Sequence, residues 1–333
     1  MNKERLLEVL SIPSVFGREE LVRNYITDFA IKNGIKVMVD DKGNIYLTKG
    51  SEKMTEGEYY PCVVAHMDTV HKMQESLVDS NERLKIVESV YEKETDTVQT
   101  ILTARMPNTD TKAGIGGDDK CGVFVCLEML EHFDVMKAAF FVEEEIGMKG
   151  SKEADEDFFK DVGYAIQFDA PSDNWITETC SGVKLFDSDF KGLITETLGD
   201  NGYTNFSYDP FTDVNQLAQK FDFCCLNLGC GYHRQHSVDE YVVVEEVENS
   251  VKTGISLIKE LGLEFYKRND KKEYISEWNT SSYYSGFDDE DDEEMLEIAD
   301  SITDSVIEMI SEGADREDIR DYIYSCLEDN LYY

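Results

Sequence analysis

The stretch YYPCVVAHMD, residues 59–68, is a short apolar run that ends in a histidine and an aspartate. An apolar run of this length is typical of a strand buried on both faces. The same pattern returns in MKAAFFVEEE, residues 136–145, and in VGYAIQFDA, residues 162–170, and both runs end in acidic residues. Helical patterns separate these runs. The repeat therefore predicts an α/β fold in which helices flank a mostly parallel, mixed central sheet in three layers.

Helical spacing of apolar residues predicts the helices between these strands. They are EELVRNYITDFAIKNG (19–34), KCGVFVCLEMLEHF (120–133), SGVKLFDSDFKGLITETLG (181–199), FTDVNQLAQKF (211–221) and VVEEVENSVKTGISLIKELG (243–262). Two alternating segments, LKIVESVYEK (84–93) and TVQTILTAR (97–105), predict a hairpin.

Charge and hydropathy exclude several classes of protein. The formal net charge is −38, which opposes binding to nucleic acid and to anionic membrane surfaces. No segment approaches the roughly 18 apolar residues that cross a bilayer. The amino terminus shows no secretory signal, so we expect a cytoplasmic protein whose eight cysteines are reduced and mostly buried in the core.

The carboxyl terminus differs in composition from the rest of the chain. Residues 288–333 carry 18 aspartates and glutamates against two arginines. We predict a main domain over residues 1–268, an acidic linker over 269–293 and an acidic extension of two amphipathic helices over 294–333. The apolar stripes of these helices need a cover, which is either the main domain or, through self-association, a second copy of the chain.

Residue types that bind metals follow the predicted strands or lie in loops. They are His66 with Asp68, Asp118, Glu144 with Glu145, Asp169, and His236. In helix-flanked parallel sheets, ligands bind beyond the carboxyl ends of the strands, where several of these residues fall. Taken singly, a His-x-Asp pair is more often a surface or capping pair, and a run of glutamates is more often a solvated face.

The acids that end the 136–145 run favour a metal site over those alternatives. A cluster of buried carboxylates needs cations, and the chain offers few lysines at these points. Two zinc ions, or cobalt or manganese in their place, would neutralise the carboxylates, with two histidines, two terminal carboxylates and one shared aspartate as the ligands. Asp68 is then suited to orient His66, and Glu144 to take a proton from water.

The motifs HMDTV, GGDDKCG, EEIGMKGS, FDA, FTDVNQL and HSVDEYV, in this order, resemble the signatures of the co-catalytic dinuclear zinc exopeptidases. That clan includes peptidase T, carboxypeptidase G and zinc aminopeptidases, and the resemblance covers about residues 1–265. It implies five metal ligands, His66, Asp118, Glu145, Asp169 and His236, with Asp118 as the bridge. It also implies that Asp68 orients a ligand and that Glu144 is the general base. His233 is the alternative to His236.

The chain departs from peptidase T in one respect. Peptidase T and its near relatives insert a lid domain between the fourth and fifth ligands, but only 67 positions separate Asp169 from His236. We therefore expect no lid. Tyr232, as a donor to the developing oxyanion, and Arg234, as a partner for a substrate carboxylate, are candidates to replace lid residues, against the alternatives of loop packing and a solvated charge.

The sequence thus predicts a hydrolase that cleaves peptide or other amide bonds with a water activated between two zinc ions. An aminopeptidase or a di- or tripeptidase is the first choice. The alternatives are an N-acyl amino acid deacylase with the same ligands, and an inactive binding protein whose fold zinc stabilises.

Overall fold

The structure, a computed structural model, describes residues 1–92, 98–209 and 211–269. All of these residues fall within one unit by their contacts. The predicted acidic extension, and all but the first residue of the predicted linker, lie outside the described residues.

The strands are β1 Lys36–Val39, β2 Ile45–Lys49, β3 Tyr60–His66, β4 Lys85–Glu92, β5 Val98–Arg105, β6 Lys112–Ala113, β7 Met136–Phe141, β8 Val162–Ala170, β9 Trp175–Cys180, β10 Val183–Lys184, β11 Asn205–Asp209, β12 Cys224–Gly229, β13 Tyr232–His233 and β14 Tyr241–Val243. The α-helices are α1 Lys3–Ser11, α2 Glu20–Lys32, α3 Glu75–Ser80, α4 Gly117–His132, α5 Lys149–Lys152, α6 Glu156–Phe159, α7 Ser188–Asp200, α8 Asp213–Lys220 and α9 Val244–Leu261. Short 3₁₀ turns occupy Ser51–Lys53 and Lys72–Gln74.

The main sheet has the order β1-β2-β7-β3-β8-β12-β9-β10, and β11 pairs with β9. Its four central strands, β7, β3, β8 and β12, are parallel, whereas β1, β2, β9 and β10 add antiparallel edges. The sheet is therefore mixed with a parallel centre, which confirms the predicted α/β class. Parallel neighbours end at the same edge, so the polar residues that follow β3, β7, β8 and β12 meet there.

The central strands are buried on both faces. Every residue of β3, β7 and β12 is buried, although successive side chains of a strand point to opposite faces. Helix α4 packs against β3, β7 and β8 and also contacts α1 and α9, while α8 packs against β3, β8 and β12 and contacts α5. Two groups of helices thus cover the sheet, as the uninterrupted apolar runs predict.

A second sheet has the order β13-β14-β5-β4, with β6 beside β5. The predicted hairpin forms its β4 and β5 strands, paired from Lys85 with Arg105 to Glu92 with Val98. This sheet brings the loop between β13 and β14, which contains His236, towards the start of α4. The strands β9, β10, β11 and β12, which lie between Asp169 and His236 in sequence, all belong to the main sheet.

One predicted helix starts later than the sequence suggests. The helix expected over residues 181–199 begins at Ser188, because the carboxylate of Asp187 accepts a hydrogen bond from the backbone N–H of Phe190 and caps the helix there. The residues before it, Val183–Lys184, pair with β9 instead.

Among the described residues, no helix combines the length and the apolar character that spanning a bilayer requires.

Candidate metal centre

The seven residues that the sequence singles out for metal binding and catalysis come together at the carboxyl edge of the main sheet. His66 is the last residue of β3, Glu144 and Glu145 follow β7, and Asp169 lies near the end of β8. Asp68 follows His66 by two positions. The other two come from outside the sheet: Asp118 lies at the start of α4, and His236 lies between β13 and β14.

Asp118 lies between the two histidines. Its Oδ1 is 3.2 Å from Nε2 of His66, and its Oδ2 is 3.2 Å from Nε2 of His236. The two oxygens of one carboxylate thus face two imidazoles that are 170 positions apart in the sequence. This is the arrangement expected of a carboxylate that bridges two ions.

Each histidine has a second carboxylate close to it. Nε2 of His66 is 3.5 Å from Oδ1 of Asp169, and Nε2 of His236 is 3.0 Å from Oε2 of Glu145. Two groups of donors result, which share Asp118. We call His66, Asp118 and Asp169 the His66 half of the centre, and His236, Asp118 and Glu145 the His236 half. Oε2 of Glu144 lies 4.0 Å from Nε2 of His66.

Asp119 also lies close enough to be a ligand. One atom each from His66, Asp119 and Asp169 lie within 4.8 Å of one another, as do atoms of His66, Asp118 and Glu145. Both oxygens of Asp119 accept backbone hydrogen bonds, Oδ2 from His66 at 3.1 Å and Oδ1 from Gly122 at 3.1 Å. We therefore assign Asp119 to holding β3 and α4 together. The Asp118–Asp119 peptide bond is cis.

Asp68 connects the first histidine to the two glutamates. Its carboxylate accepts hydrogen bonds from the backbone N–H groups of Glu144, at 3.0 Å, and Glu145, at 3.1 Å. Nδ1 of His66 lies 3.1 Å from the carbonyl oxygen of Asp68 and 3.4 Å from its Oδ1. Asp68 therefore fixes the glutamate loop as well as the ring of His66.

Glu240 and His71 support the loop that carries Asp118. The buried carboxylate of Glu240 accepts from the backbone N–H of Gly116 at 2.8 Å and from that of Asp118 at 3.1 Å. Nε2 of His71 lies 2.7 Å from Oε2 of Glu240. His71 thus has a supporting place behind the centre and is not among its donors.

The charges of the centre shift the pKa values of its members. Hydrogen bonds with Asp118 and then Glu145 raise the pKa of His236 to about 11. Burial lowers the pKa of His66, but Asp169, Asp118 and Asp68 outweigh burial, and the pKa lies well above its ordinary value. Burial would raise the pKa of Asp118, yet its hydrogen bonds with the two histidines hold that pKa below its usual range.

The pKa of Glu144 moves in the direction that a general base requires. Burial raises it well above its ordinary value, and Asp169 adds to the rise, although His66 opposes it. Burial likewise raises the pKa of Asp169 to about 8. Cations at the centre would lower both values by favouring the charged forms.

A cleft of about 420 Å³ opens onto the centre. Its lining consists of Asp118, Glu144, Glu145, Gly147, Asp169, Pro171, Phe211, Tyr232, Gln235 and His236. Within the part of the chain that the structure describes, this lining contains no lysine or arginine. The side chain of Tyr232 is 2 % exposed, and its hydroxyl lies 3.5 Å from Oδ1 of Asp169, so it could donate to a group bound in the cleft.

The structure places Arg234 away from this cleft. Arg234 is exposed and lines a separate depression with Arg105, Lys112 and Asp239. His233, the alternative ligand, also points elsewhere, because its Nε2 lies 2.6 Å from Oε2 of Glu246. The direct partner for a substrate carboxylate that the sequence suggested is therefore not among the residues lining the cleft.

The donor set suits divalent zinc. Each half offers one imidazole nitrogen and carboxylate oxygens, which are the ligands that catalytic zinc takes. Oε1 of Glu145 is buried without a hydrogen-bond partner, which leaves it available to a cation. The residues present therefore fit a pair of divalent ions.

The sequence did not identify two amides that hold Asp169. Asn227 accepts from the backbone N–H of Asp169 at 2.9 Å and donates to its carbonyl oxygen at 3.0 Å. Gln167 donates from Nε2 to Oδ2 of Asp169 at 3.1 Å. The available signal was a polar residue inside each apolar strand, in AIQFD and CCLNLG.

Comparison of the chain with known proteins gives similarity in structure rather than in sequence. The sequence matches no protein-family model and no curated protein. The aminopeptidase PepT of Bacillus cereus superposes with a TM-score of 0.60 at 16% identity, over 78% of this chain and 99% of that one. A tripeptidase of Staphylococcus aureus gives a TM-score of 0.56 at 14% identity, over 78% and 98% of the two chains.

An aminopeptidase of the archaeon Desulfurococcus kamchatkensis gives a TM-score of 0.54 at 16% identity, over 77% of this chain and 93% of that one. Similarity at these identities establishes the fold. The chain therefore has the fold of the exopeptidases that its motifs resemble.

Proposed function

We propose that this chain is a metal-dependent aminopeptidase that binds two divalent ions, with zinc as the first choice. The ligands are His66, Asp118, Glu145, Asp169 and His236. The observation that carries the proposal is the position of Asp118, whose two oxygens each lie 3.2 Å from a different histidine. The similarity of the chain's fold to aminopeptidases and a tripeptidase supports the same conclusion.

The chain's own residues then divide the work of hydrolysis. Bound ions would supply Lewis acidity, which polarises the scissile carbonyl and acidifies water. Glu144, beside the His66 half, takes a proton from the attacking water and passes it to the leaving nitrogen. Tyr232 donates a hydrogen bond to the oxygen on which negative charge develops. Asp68 positions the base, Glu144, and the ligand Glu145 by accepting hydrogen bonds from their backbone N–H groups.

The lining of the cleft favours a substrate with a free amino group. Four of its members are carboxylates, and the described lining contains no lysine or arginine. Bound ions would offset the charge of Asp118, Glu145 and Asp169, but the described lining still gives the carboxylate of an N-acyl amino acid no lysine or arginine to pair with, whereas an α-ammonium group needs none. Aminopeptidase activity is therefore the first choice, and deacylation of N-acyl amino acids is the alternative that the assay must distinguish.

Metal content and substrate range test the proposal together. We expect the full chain, stripped of metal and then titrated with zinc, to bind two ions per chain. The reconstituted protein should hydrolyse aminoacyl amides and dipeptides and leave N-acyl amino acids intact. Binding of fewer than two ions would refute the dinuclear centre, and preferential hydrolysis of N-acyl amino acids would reverse the order of the two activities.

Replacement of the base separates catalysis from metal binding. Glu144→Gln keeps the size of the side chain but removes the proton acceptor, so turnover should fall by about 10²- to 10⁴-fold while two ions remain bound. Glu143→Gln is the matched control, since Glu143 is adjacent but its Oε2 pairs with Lys42 outside the cleft. Its activity should stay within a few-fold of the parent, and equal losses in both variants would contradict the assignment of Glu144.

A further inference from the structure

The side-chain amide of Gln167 lies between two buried carboxylates. Its Nε2 is 3.1 Å from Oδ2 of Asp169 and 3.4 Å from Oδ2 of Asp213. Gln167 and Asp213 are fully buried. Gln167 precedes Asp169 by two positions on β8, and their side chains meet on one face of the sheet. The pairing of β8 with β12 is irregular here, since Gln167 pairs with Asn227 and Ala170 with Gly229.

The orientation of this amide is fixed from the other side. Oε1 of Gln167 accepts a hydrogen bond from Oγ1 of Thr212 at 2.8 Å and another from the backbone N–H of Val214 at 3.0 Å. An amide rotated by 180° would present its N–H donors to these two donors and its oxygen to two carboxylates. Because only one orientation satisfies all four neighbours, the N–H groups face Asp169 and Asp213.

Gln167 thereby decides which oxygen of Asp169 remains for an ion. Oδ2 is occupied by the amide of Gln167, while Oδ1 faces Nε2 of His66 at 3.5 Å. Asn227 fixes the backbone of Asp169 on both sides of the residue. Turning the carboxylate would break the hydrogen bond to Gln167, so this contact favours an Oδ1 directed at Nε2 of His66; the same oxygen lies 3.5 Å from the hydroxyl of Tyr232.

We propose that Gln167 is a positioning residue for the His66 half alone, and that its loss weakens the binding of one of two ions. The inference rests on the proposed function, because it presupposes a dinuclear centre. Asp118 and Glu145 in the His236 half have no contact with the Gln167 side chain among its hydrogen bonds. An uneven effect on the two ions is therefore expected.

Asp213 strengthens the case for a neutral donor at position 167. Its carboxylate is buried beside the amide, and its Oδ1 has no hydrogen-bond partner. Gln167 supplies both Asp169 and Asp213 with a donor and adds no charge. A carboxylate at position 167 could accept from Thr212 and Val214 as the amide does, yet it would repel Asp169 and Asp213.

Zinc titration of the metal-free full chain tests the proposal, with cobalt(II) absorption as a second signal. For the parent protein we expect two equivalents. In Gln167→Met one equivalent should bind with the parental affinity, and the affinity of the other should fall by about 10- to 100-fold. Gln167→Glu preserves the contacts to Thr212 and Val214 and should show the same uneven loss, so the test does not depend on the folding of one variant.

Gln74→Met is the matched control. Gln74 is also fully buried, and its replacement removes two hydrogen bonds, one to the carbonyl oxygen of Gly114 and one from the backbone N–H of Ser14, against the four that Gln167 makes. Thermal unfolding without metal shows whether the two methionine variants are equally destabilised. At equal stability, Gln74→Met should bind both equivalents as the parent does.

The outcomes separate this inference from the proposed function. Two equivalents bound by Gln167→Met at parental affinity would overturn the inference and leave the dinuclear centre intact. Equal weakening of both equivalents would also overturn it, because the effect would then not belong to one half. A parent protein that binds one equivalent or none would overturn the proposed function itself.

Discussion

Tyr232 is the residue of the cleft whose hydroxyl is best placed to act on a bound substrate. Its side chain is buried, and the hydroxyl reaches the cleft 3.5 Å from Oδ1 of Asp169. The backbone of α4 approaches its Cβ closely, since a Cβ added to Gly117 would lie 2.7 Å from the Cβ of Tyr232. Packing against a glycine thus holds the ring, and the hydroxyl has little freedom of position.

Tyr232→Phe should lower the turnover number by about 100-fold, because it removes one donor to the charge that develops in the transition state. The Michaelis constant should change by no more than a few-fold, and two zinc ions should remain bound. Steady-state kinetics and metal analysis of the same preparation check both points.

Tyr241→Phe is the control, since Tyr241 stacks on His233 and lies outside the lining of the cleft. Loss of an ion from Tyr232→Phe would instead assign the hydroxyl to supporting Asp169. An unchanged turnover number would show that the hydroxyl has no part in the reaction.

Residues at the ends of strands could be found from the sequence, and residues inside strands could not. His66, Glu144, Glu145 and Asp169 stand where an apolar run ends, and the topology of a parallel sheet brings such ends together. A single amide such as Gln167 shows only as a polar residue inside an apolar run, and its role depends on α8 packing beside β8. The position of Arg234 depends on the path of one loop, which local sequence does not determine.

At the scale of elements, the start of α4 is held from outside the helix. The turn just before Asp118 includes Gly116, whose backbone lies in the left-handed region at φ 67°. Glu240, from the segment before β14, accepts hydrogen bonds from Gly116 and Asp118 and contacts His71. One carboxylate therefore joins the second sheet to the turn that places the bridging residue.

Glu240→Gln should weaken both the fold and the centre, because one of its two oxygens becomes an N–H donor that faces other donors. We expect a loss of about 1–3 kcal/mol in the free energy of unfolding. Zinc affinity should fall by about 10- to 100-fold, since the turn that carries Asp118 loses a support. Urea unfolding of the metal-free protein and zinc titration measure the two effects.

The neighbouring variant Asp239→Asn provides the comparison. Asp239 is exposed and pairs with Lys112 on the surface, so its replacement should leave both the free energy of unfolding and the zinc affinity close to those of the parent. A Glu240→Gln protein that matches Asp239→Asn in both measurements would show that the turn needs no such support.

Elements with strong periodicity were predictable, and those made by pairing were not. The central strands and α2, α4, α8 and α9 follow from apolar runs and helical spacing. Residues 181–199 were wrongly predicted as one helix, because Val183–Lys184 gain a strand partner that the sequence does not reveal. For the same reason, no local pattern predicts that the β4–β5 hairpin joins β14 in a second sheet.

At the scale of the whole molecule, the main electrostatic feature of the sequence is its excess of negative charge. The formal net charge is −38, and residues 288–333 contribute 18 acidic against two basic residues. Repulsion between like charges disfavours a compact state. Dissolved salt weakens this repulsion, because the screening length falls from about 10 Å at 0.1 M to about 3 Å at 1 M.

The melting temperature of the metal-free protein at pH 7 should therefore rise by a few degrees between 0.1 M and 1 M sodium chloride. The rise should largely vanish near pH 4.3, the isoelectric point of the sequence, where little net charge remains to screen. Circular dichroism during heating measures both. A melting temperature that falls with salt at pH 7 would show that attraction within surface ion pairs outweighs the overall repulsion.

The contact of both histidines with Asp118 has a consequence for how the centre fills. In protein that has not yet met an ion, His236 retains a proton at neutral pH, because hydrogen bonds to Asp118 and Glu145 raise its pKa to about 11. A dication that takes this imidazole must expel the proton to solvent. Loading is thus an exchange of a metal ion for a proton, and acidification would favour release of the ion by competition.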